Sequence, residues 1–404
     1  MTLKIAWRNV WRNYGRSLVV IGSFVVGIWA LLFGTGFMNG FMVGYSANII
    51  ENDISNIQIH NPEFKKDLDI KFPIKNGHKK AIEVRQWEDV KALTTRSVVT
   101  GMIASPQKAT GVQIRGIDFE NEALVTHLDS LISEGKYFDG KKRNTIIIGS
   151  KMAENLKVKI RSKVVLTFNN SDGDITAGAF RVIGIVKSSS LNISQLYAYV
   201  KQDDLNKLLG IGDEIHEIAI VTMPQVAELS IIEKYNSTYK DDLIESWREI
   251  SPELAFMEEM YGSMLYVLMA IIMTALIFGI VNTMLMAVLE RTRELGVLMA
   301  VGMNRGKIYL MIMLETIYLA LVGAPLGLLV GWLSILYYRH VGVDLTNYSE
   351  ALESYGTSSI LYPYVDGNTY LIVTLGVIIT AIIGALYPAW KATRLNPVEA
   401  IHTI

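Results

Sequence analysis

The chain contains no cysteine among its 404 residues. Disulfides, thiolate metal sites, a cysteine nucleophile and a lipid-anchored N-terminal cysteine are therefore excluded, while an outward-facing domain stays compatible with any redox setting. Histidine is scarce too. His60, His78, His127, His216, His340 and His402 are scattered, with no two at ligand spacing, which argues against a metal site. Neither GxSxG nor HExxH occurs. The nearest approach to a phosphate loop, residues 302–308, has the wrong spacing, lacks the Ser/Thr and follows no strand, so the chain is not expected to hydrolyse ATP. The acidic pairs Glu258/Glu259 and Asp203/Asp204 read as solvated surface. No basic, aromatic-interleaved stretch points to nucleic acid.

Half of the residues are hydrophobic, and they are concentrated. Four runs approach the ~20 apolar residues that a bilayer core requires of a helix: residues 18–45, 264–289, 308–336 and 370–387. A polar stretch, residues 46–262, separates the first two. The sequence thus predicts four transmembrane helices and one large α+β domain between helices 1 and 2, with a shorter outer loop at 337–369. Run one is too long for a signal-peptide core and no small-x-small cleavage site follows it, so a retained helix is expected. Lys4, Arg8, Arg12 and Arg16 precede run one; Arg291, Arg293, Arg305 and Lys307 lie between runs two and three; Lys391 and Arg394 follow run four. The loop between runs three and four instead holds Asp344, Glu350, Glu353 and Asp366 against Arg339. By the positive-inside rule both termini and the 290–307 loop are cytoplasmic, and 46–262 faces outward.

Residues 1–17 read as a cytoplasmic amphipathic helix. The four cations recur every fourth residue, one helical stripe, and Trp7 and Trp11 suit the interface, so a helix on the anionic inner leaflet is expected. Run one is long enough to continue as a stalk, because residues 46–54 contain no breaker. Gly36, Gly40 and Gly44 form a small-residue face on it, and Gly323, Gly327 and Gly331 repeat the spacing in run three. Such faces let helices approach closely. For run one two readings stand open: a subunit interface or lateral opening, with Met38 and Phe41 turned to cargo, or packing within the same chain. Glu315 is the one clear ionisable residue inside a span. It is either a buried functional carboxylate or one snorkelling past Lys307 to the surface.

In the inserted domain, β-rich segments fall at 57–60, 98–103, 111–117, 145–148, 164–168, 180–186, 196–200 and 215–221. A turn at 169–173 predicts a hairpin over 162–187. Helical patterns fit 86–95, 151–156, 202–209 and 226–235. A β-rich subdomain is expected at about 126–200.

The segment after run two begins Leu289-Glu290-Arg291-Thr292-Arg293-Glu294-Leu295-Gly296 and runs through Leu298, Met299 and Ala300 to Gly302. This string resembles the FtsX-like permeases, the membrane subunits of MacB-type (type VII) ABC transporters, in which the pattern forms a coupling helix docked on the ATPase. Further matches are Glu315, the Arg8-Asn9 and Arg12-Asn13 pairs, and a tail from Tyr387 through Pro397 to Ile401. The resemblance covers the whole chain. Segments of the inserted domain, such as 111–118 and 148–156, are similar to the MacB core domain, and the longer loop before run four leans toward lipoprotein-releasing permeases of the LolC/LolE kind.

The resemblance implies a non-catalytic permease subunit in a bacterial inner membrane, with ATP and Mg held by a separate cytoplasmic ABC ATPase dimer and a second permease as partner. Glu290, Arg291, Arg293, Glu294, Leu295, Gly296, Leu298, Met299 and Gly302 are the expected coupling residues. Leu295, Leu298 and Met299 are expected to enter a groove on the ATPase, and Gly296→Trp or Leu298→Asp to uncouple ATPase activity from cargo release more than Arg291→Ala does. Mechanotransmission follows: ATP-driven closure of the partner moves the coupling helix, and the outer domain changes shape to extract or release lipoprotein. Export of peptides or drugs from the periplasm, and regulation of an extracytoplasmic enzyme, are the competing readings.

Overall fold

The computed structural model describes residues 2–12, 14–188, 190, 192–224, 226–349, 352 and 359–395. Asn13, Glu350, Ala351, Glu353 and the expected tail motif from Asn396 onward lie outside the described residues. Four helices are long and apolar enough to cross a membrane: Tyr14–Ile54, Pro252–Glu290, Arg305–Val341 and Gly367–Thr393. The chain is a multi-pass membrane protein with a large α/β domain inserted between its first and second spans. The first helix runs unbroken to residue 54, and its last turn, Ile50–Ile54, widens to i→i+5 bonding.

The spans pack on a shared core of Phe24, Ile28 and Leu32 from the first, Ile280 from the second, Ile312 from the third and Val377 from the fourth. The glycines of the third span explain the closest approach. A Cβ at Gly323 would sit 2.8 Å from Phe24 Cβ, one at Gly327 2.9 Å from Ile28 Cβ, and one at Gly331 2.6 Å from Leu32 Cδ1. Three successive turns of the third span thus lie directly on the first. Gly36 and Gly40 are covered by the same chain: Gly36 meets Val365 and Ile335, its carbonyl accepts from Tyr364 N–H at 2.9 Å, and Gly40 abuts the Tyr362 backbone. A Cβ at Gly44 would meet nothing within 4 Å, and Met38 and Phe41 are half-buried. Replacing Gly327 by leucine forces overpacking, for which a loss of ~1–3 kcal/mol is expected. Gly22→Leu, at a site with open space, is expected to change stability by less than ~0.5 kcal/mol. Thermal unfolding of the two variants in detergent checks this contrast.

The inserted domain is built on one ten-stranded sheet in the order β10-β1-β9-β2-β3-β8-β5-β7-β4, with β6 bridging β2 and β7. The strands are β1 Ile57–His60, β2 Val90–Ala104, β3 Ala109–Ile117, β4 Ile132–Gly135, β5 Thr145–Gly149, β6 Lys163–Asn169, β7 Ile175–Val186, β8 Tyr197–Lys201, β9 Glu217–Thr222 and β10 Leu243–Ser246. The expected hairpin is β6–β7. The strands of the expected β-rich subdomain at about 126–200 join one sheet with the rest of the domain, and that sheet has separate cores. Ile57, Leu93, Ile218 and Tyr235 form one, beside helices Gly77–Arg85 and Glu228–Thr238. Ile114, Ile148, Val182 and Leu205 form another, beneath Ser150–Leu156 and Gln202–Leu209. The helix expected at 86–95 is corrected: it lies earlier, at Gly77–Arg85, and β2 begins at Val90. Val90, Thr94 and Thr95 are β-branched and suit a pleated surface, and pairing with β9 outweighs the helical pattern. Asp204 is not solvated either. It is buried and accepts the Asn144 backbone N–H at 2.8 Å.

A buried charge chain threads this sheet. Arg96 on β2 is fully buried and forks onto Glu122, with Nε 2.9 Å from Oε2 and Nη2 2.7 Å from Oε1. Its Nη1 donates to Glu217, which stands opposite it on β9. Glu217 in turn meets His60 on β1 at 3.2 Å, and His60 lies 3.6 Å from Glu245, which pairs with Lys65. Burial alone would raise the Glu217 pKa, but Arg96 and His60 hold it well below the usual carboxylate range. Phe64 stacks between His60 and His216, two histidines distant in sequence.

Candidate functional site

The predicted coupling segment is a nine-residue helix, Thr292–Ala300, in the short link between the second and third spans. Both ends are fixed locally. The second span stops at Glu290, and Arg291 leaves helical geometry at φ −103° and ψ 15°. At the other end Gly302 adopts φ +99°, Gly302 N–H donates to Met299 O and Met303 N–H donates to Leu298 O, both at 3.0 Å. This paired closure needs a left-handed residue, which glycine adopts without a Cβ clash. Gly302 is therefore the stop of the helix. Asn304 then caps the third span by accepting the Gly306 N–H.

The two faces of the short helix are reversed relative to expectation. Leu295 and Gly296 are buried, and Leu298, Met299 and Met303 pack on the core of the spans. The face expected to enter a partner instead holds the helix to its own bundle, because these side chains find apolar cover there. Arg293, Glu294, Val297 and Ala300 point outward, and Val301 beyond them is 83% exposed. An isolated exposed valine is ordinary, and this one follows directly on the closed last turn of the helix.

Charges from the N-terminal helix Thr2–Arg12 and the start of the first span lock this element. Arg12 pairs with Glu294 at 2.5 Å and Arg16 with Glu290. Two members of the basic stripe thus face acids of the link rather than lipid headgroups. Ala6 and Val10 are buried, and Trp7 meets Tyr318 edge-on at 5.4 Å. Glu315 does not snorkel. It is buried, accepts from Asn9 Nδ2 at 2.7 Å, and lies 3.4 Å from Arg291 Nη1 through both oxygens. Arg291 also donates to the Asn9 carbonyl at 3.0 Å. Arg291, largely covered, therefore ties the link, the N-terminal helix and the third span together. Asn9, Arg12, Arg291, Glu294 and Glu315 also line a cavity of about 570 Å³.

Of the expected coupling residues, Arg293 is exposed, Glu290 and Glu294 are exposed but paired with Arg16 and Arg12, Arg291 is paired with Glu315, Leu295, Gly296, Leu298 and Met299 face inward, and Gly302 closes the helix. Val297 and Val301, which the structure leaves exposed beside these residues, were not among them. Their signal was positional: on one short helix they take the face opposite Leu295 and Leu298.

Residues 266–397 match the FtsX-like permease C-terminal family, and residues 17–233 match the MacB-like periplasmic core domain. The chain is 23% identical to the lipoprotein-releasing system transmembrane protein LolC of Neisseria meningitidis serogroup B, over 74% of this chain and 75% of that protein. It is 19% identical to LolE of Haemophilus influenzae, over 79% of each. With the macrolide export ATP-binding/permease protein MacB of Mannheimia succiniciproducens it shares 26% identity, over 78% of this chain but 48% of that protein. The core-domain match alone takes in more than half of the chain and the permease match follows it, so the chain belongs to the FtsX-like, MacB-type family of ABC transporter permeases.

Proposed function

We infer that this chain is the membrane subunit of a mechanotransmission transporter in a bacterial inner membrane. Its short helix Thr292–Ala300 takes motion from a separate cytoplasmic ABC ATPase dimer. ATP and Mg are assigned to that partner, and no catalytic role to this chain. One observation carries the reading: a rigidly capped helix whose inner face is fixed to the bundle and whose outer face presents Arg293, Val297 and Val301. A helix held in this way moves as one body with the spans it joins. The second span leaves most of its apolar surface uncovered by its own chain, with 17% of its most apolar window buried, which suits a second permease beside it. Lipoprotein at the outer face is the preferred cargo, supported by alignment to LolC and LolE over about three quarters or more of each chain. Export in the manner of MacB is the second reading, supported by the match to its core domain.

The test is reconstitution with the ATPase that co-purifies from native membranes. Val301→Asp is expected to lower ATPase association at least tenfold, as loss of a docking contact costs over ~2 kcal/mol, with the melting temperature of the permease unchanged. Leu298→Asp is expected to lower the melting temperature first. Unimpaired association in Val301→Asp would remove the docking role.

A further inference from the structure

The chain has nearly equal numbers of cations and anions, yet one cleft of the inserted domain is lined by a single sign. Lys136, Lys142, Arg143, Arg161, Lys163 and Arg181 surround a cavity of about 920 Å³ along β5, β6 and β7. All six are exposed, and among the described residues none has a carboxylate within ion-pair distance. Of the nearby acids, Asp139 acts on Lys142 only from beyond ion-pair distance. Asp204 accepts the Asn144 N–H, and Asp139 accepts the backbone N–H groups of Lys141 and Lys142.

Two further observations mark the cleft as built for a ligand. Lys163 stands directly opposite Arg181 across the antiparallel β6–β7 pair. Like charges in register destabilise a strand pair, and among the described residues no carboxylate pairs with these two. On the other side of Arg181 its partner in the parallel β5–β7 pair is Thr145, which lines the cleft, is 3% exposed, and has a hydroxyl with no hydrogen-bond partner. Buried hydroxyls are almost always bonded. An oxyanion in the cleft would supply both the missing acceptor and the missing negative charge. Three of the six cations are arginines, whose planar forks match phosphate oxygens two at a time. The cleft lies in the half of the sheet remote from β1 and β10, the strands through which the chain enters and leaves the domain.

We propose that this cleft binds a phosphate-bearing anion, with Arg161, Lys163 and Arg181 as its main ligands and the Thr145 hydroxyl donating to a phosphate oxygen. The shared chemistry is a cluster of phosphate oxygens, whether free in solution or on a lipid headgroup. The site shares no residue with the helix Thr292–Ala300.

The experiment uses the full chain in phosphatidylcholine nanodiscs, with thermal unfolding and calorimetric titration as readouts. The probes are pyrophosphate, water-soluble dihexanoyl phosphatidate, dihexanoyl phosphatidylcholine and polyglutamate. Pyrophosphate near one hundred times its Kd is expected to raise the melting temperature by about 5 °C or more. Arg181→Gln and Lys163→Gln should each weaken it at least tenfold. Because each relieves the same opposed pair, each should melt no lower than the parent without ligand, which separates loss of the site from loss of the fold. Lys79→Gln, on the helix Gly77–Arg85, should leave binding unchanged. A response to phosphatidate but not to pyrophosphate, lost in the same variants, would identify the lipid source. A response to phosphatidylcholine equal to that with phosphatidate, a response to polyglutamate alone, no response to either phosphate probe, or binding indifferent to Arg181 and Lys163 would overturn the proposal.

Discussion

Replacing Arg96 by alanine is expected to unfold the inserted domain at temperatures where the parent is intact. The substitution strands Glu122 and Glu217, both buried, without their shared cation. Removing one member of a buried ion pair costs about 3–5 kcal/mol, and here two carboxylates lose their partner together. Whole domains are stable by only ~5–15 kcal/mol, so a loss of that size decides the fold. Arg96→Lys is expected to recover only part of it, because an ammonium cannot fork onto Glu122 and reach Glu217 at once. Circular dichroism melts and limited proteolysis of the full-length variants provide the check. A variant as protease-resistant as the parent would show that the network is dispensable.

Arg291→Ala is expected to be the most damaging single change in the link between the second and third spans. Glu315 would keep its bond from Asn9 but lose its charge partner within the bundle, again a loss of ~3–5 kcal/mol. Asn9 would lose the donor to its carbonyl, and the N-terminal helix one of its ties to the bundle. The double variant Arg291→Met, Glu315→Met should regain most of the stability, as buried pairs often tolerate apolar replacement. Melting in detergent of both single variants and the double measures this. Additive losses would mean that the two residues do not act as a pair.

Much of the fold was legible because its strongest signals are one-dimensional. Membrane-length apolar runs, the segregation of Lys and Arg, and the small-residue spacing of Gly323, Gly327 and Gly331 each stand within one segment. Helix 202–209 and the 162–187 hairpin were marked by local periodicity and turn residues. The misreadings share one physical cause: each depended on what lies across space. Val90, Thr94 and Thr95 belong to a strand because β9 is beside them. Asp204 is buried because Asn144 offers an N–H. Leu295, Leu298 and Met299 turn inward because the ends of the spans supply apolar cover.

One part of the candidate site was visible in outline. Arg12 and Arg16 are four apart, and so are Glu290 and Glu294. On two antiparallel helical segments those spacings match, as the observed pairs Arg12–Glu294 and Arg16–Glu290 show. The partnership of Asn9, Arg291 and Glu315 had no such signal, because it joins three elements that only the tertiary fold brings together.

In the proposed mechanism the outer face of the helix Thr292–Ala300, continued by Val301, docks on a separate ATPase while its inner face stays with the spans. The absence of cysteine makes one measurement direct. Single cysteines placed at each position from 293 to 301 are cross-linked, through a short bifunctional reagent, to the ATPase in the assembled complex. Cross-links are expected at 293, 297 and 301, with none at 295, 298 and 299. Cross-links at 295, 298 and 299 would return the partner to the opposite face, and a scan with no cross-link at any position, in a complex that still hydrolyses ATP, would contradict the account.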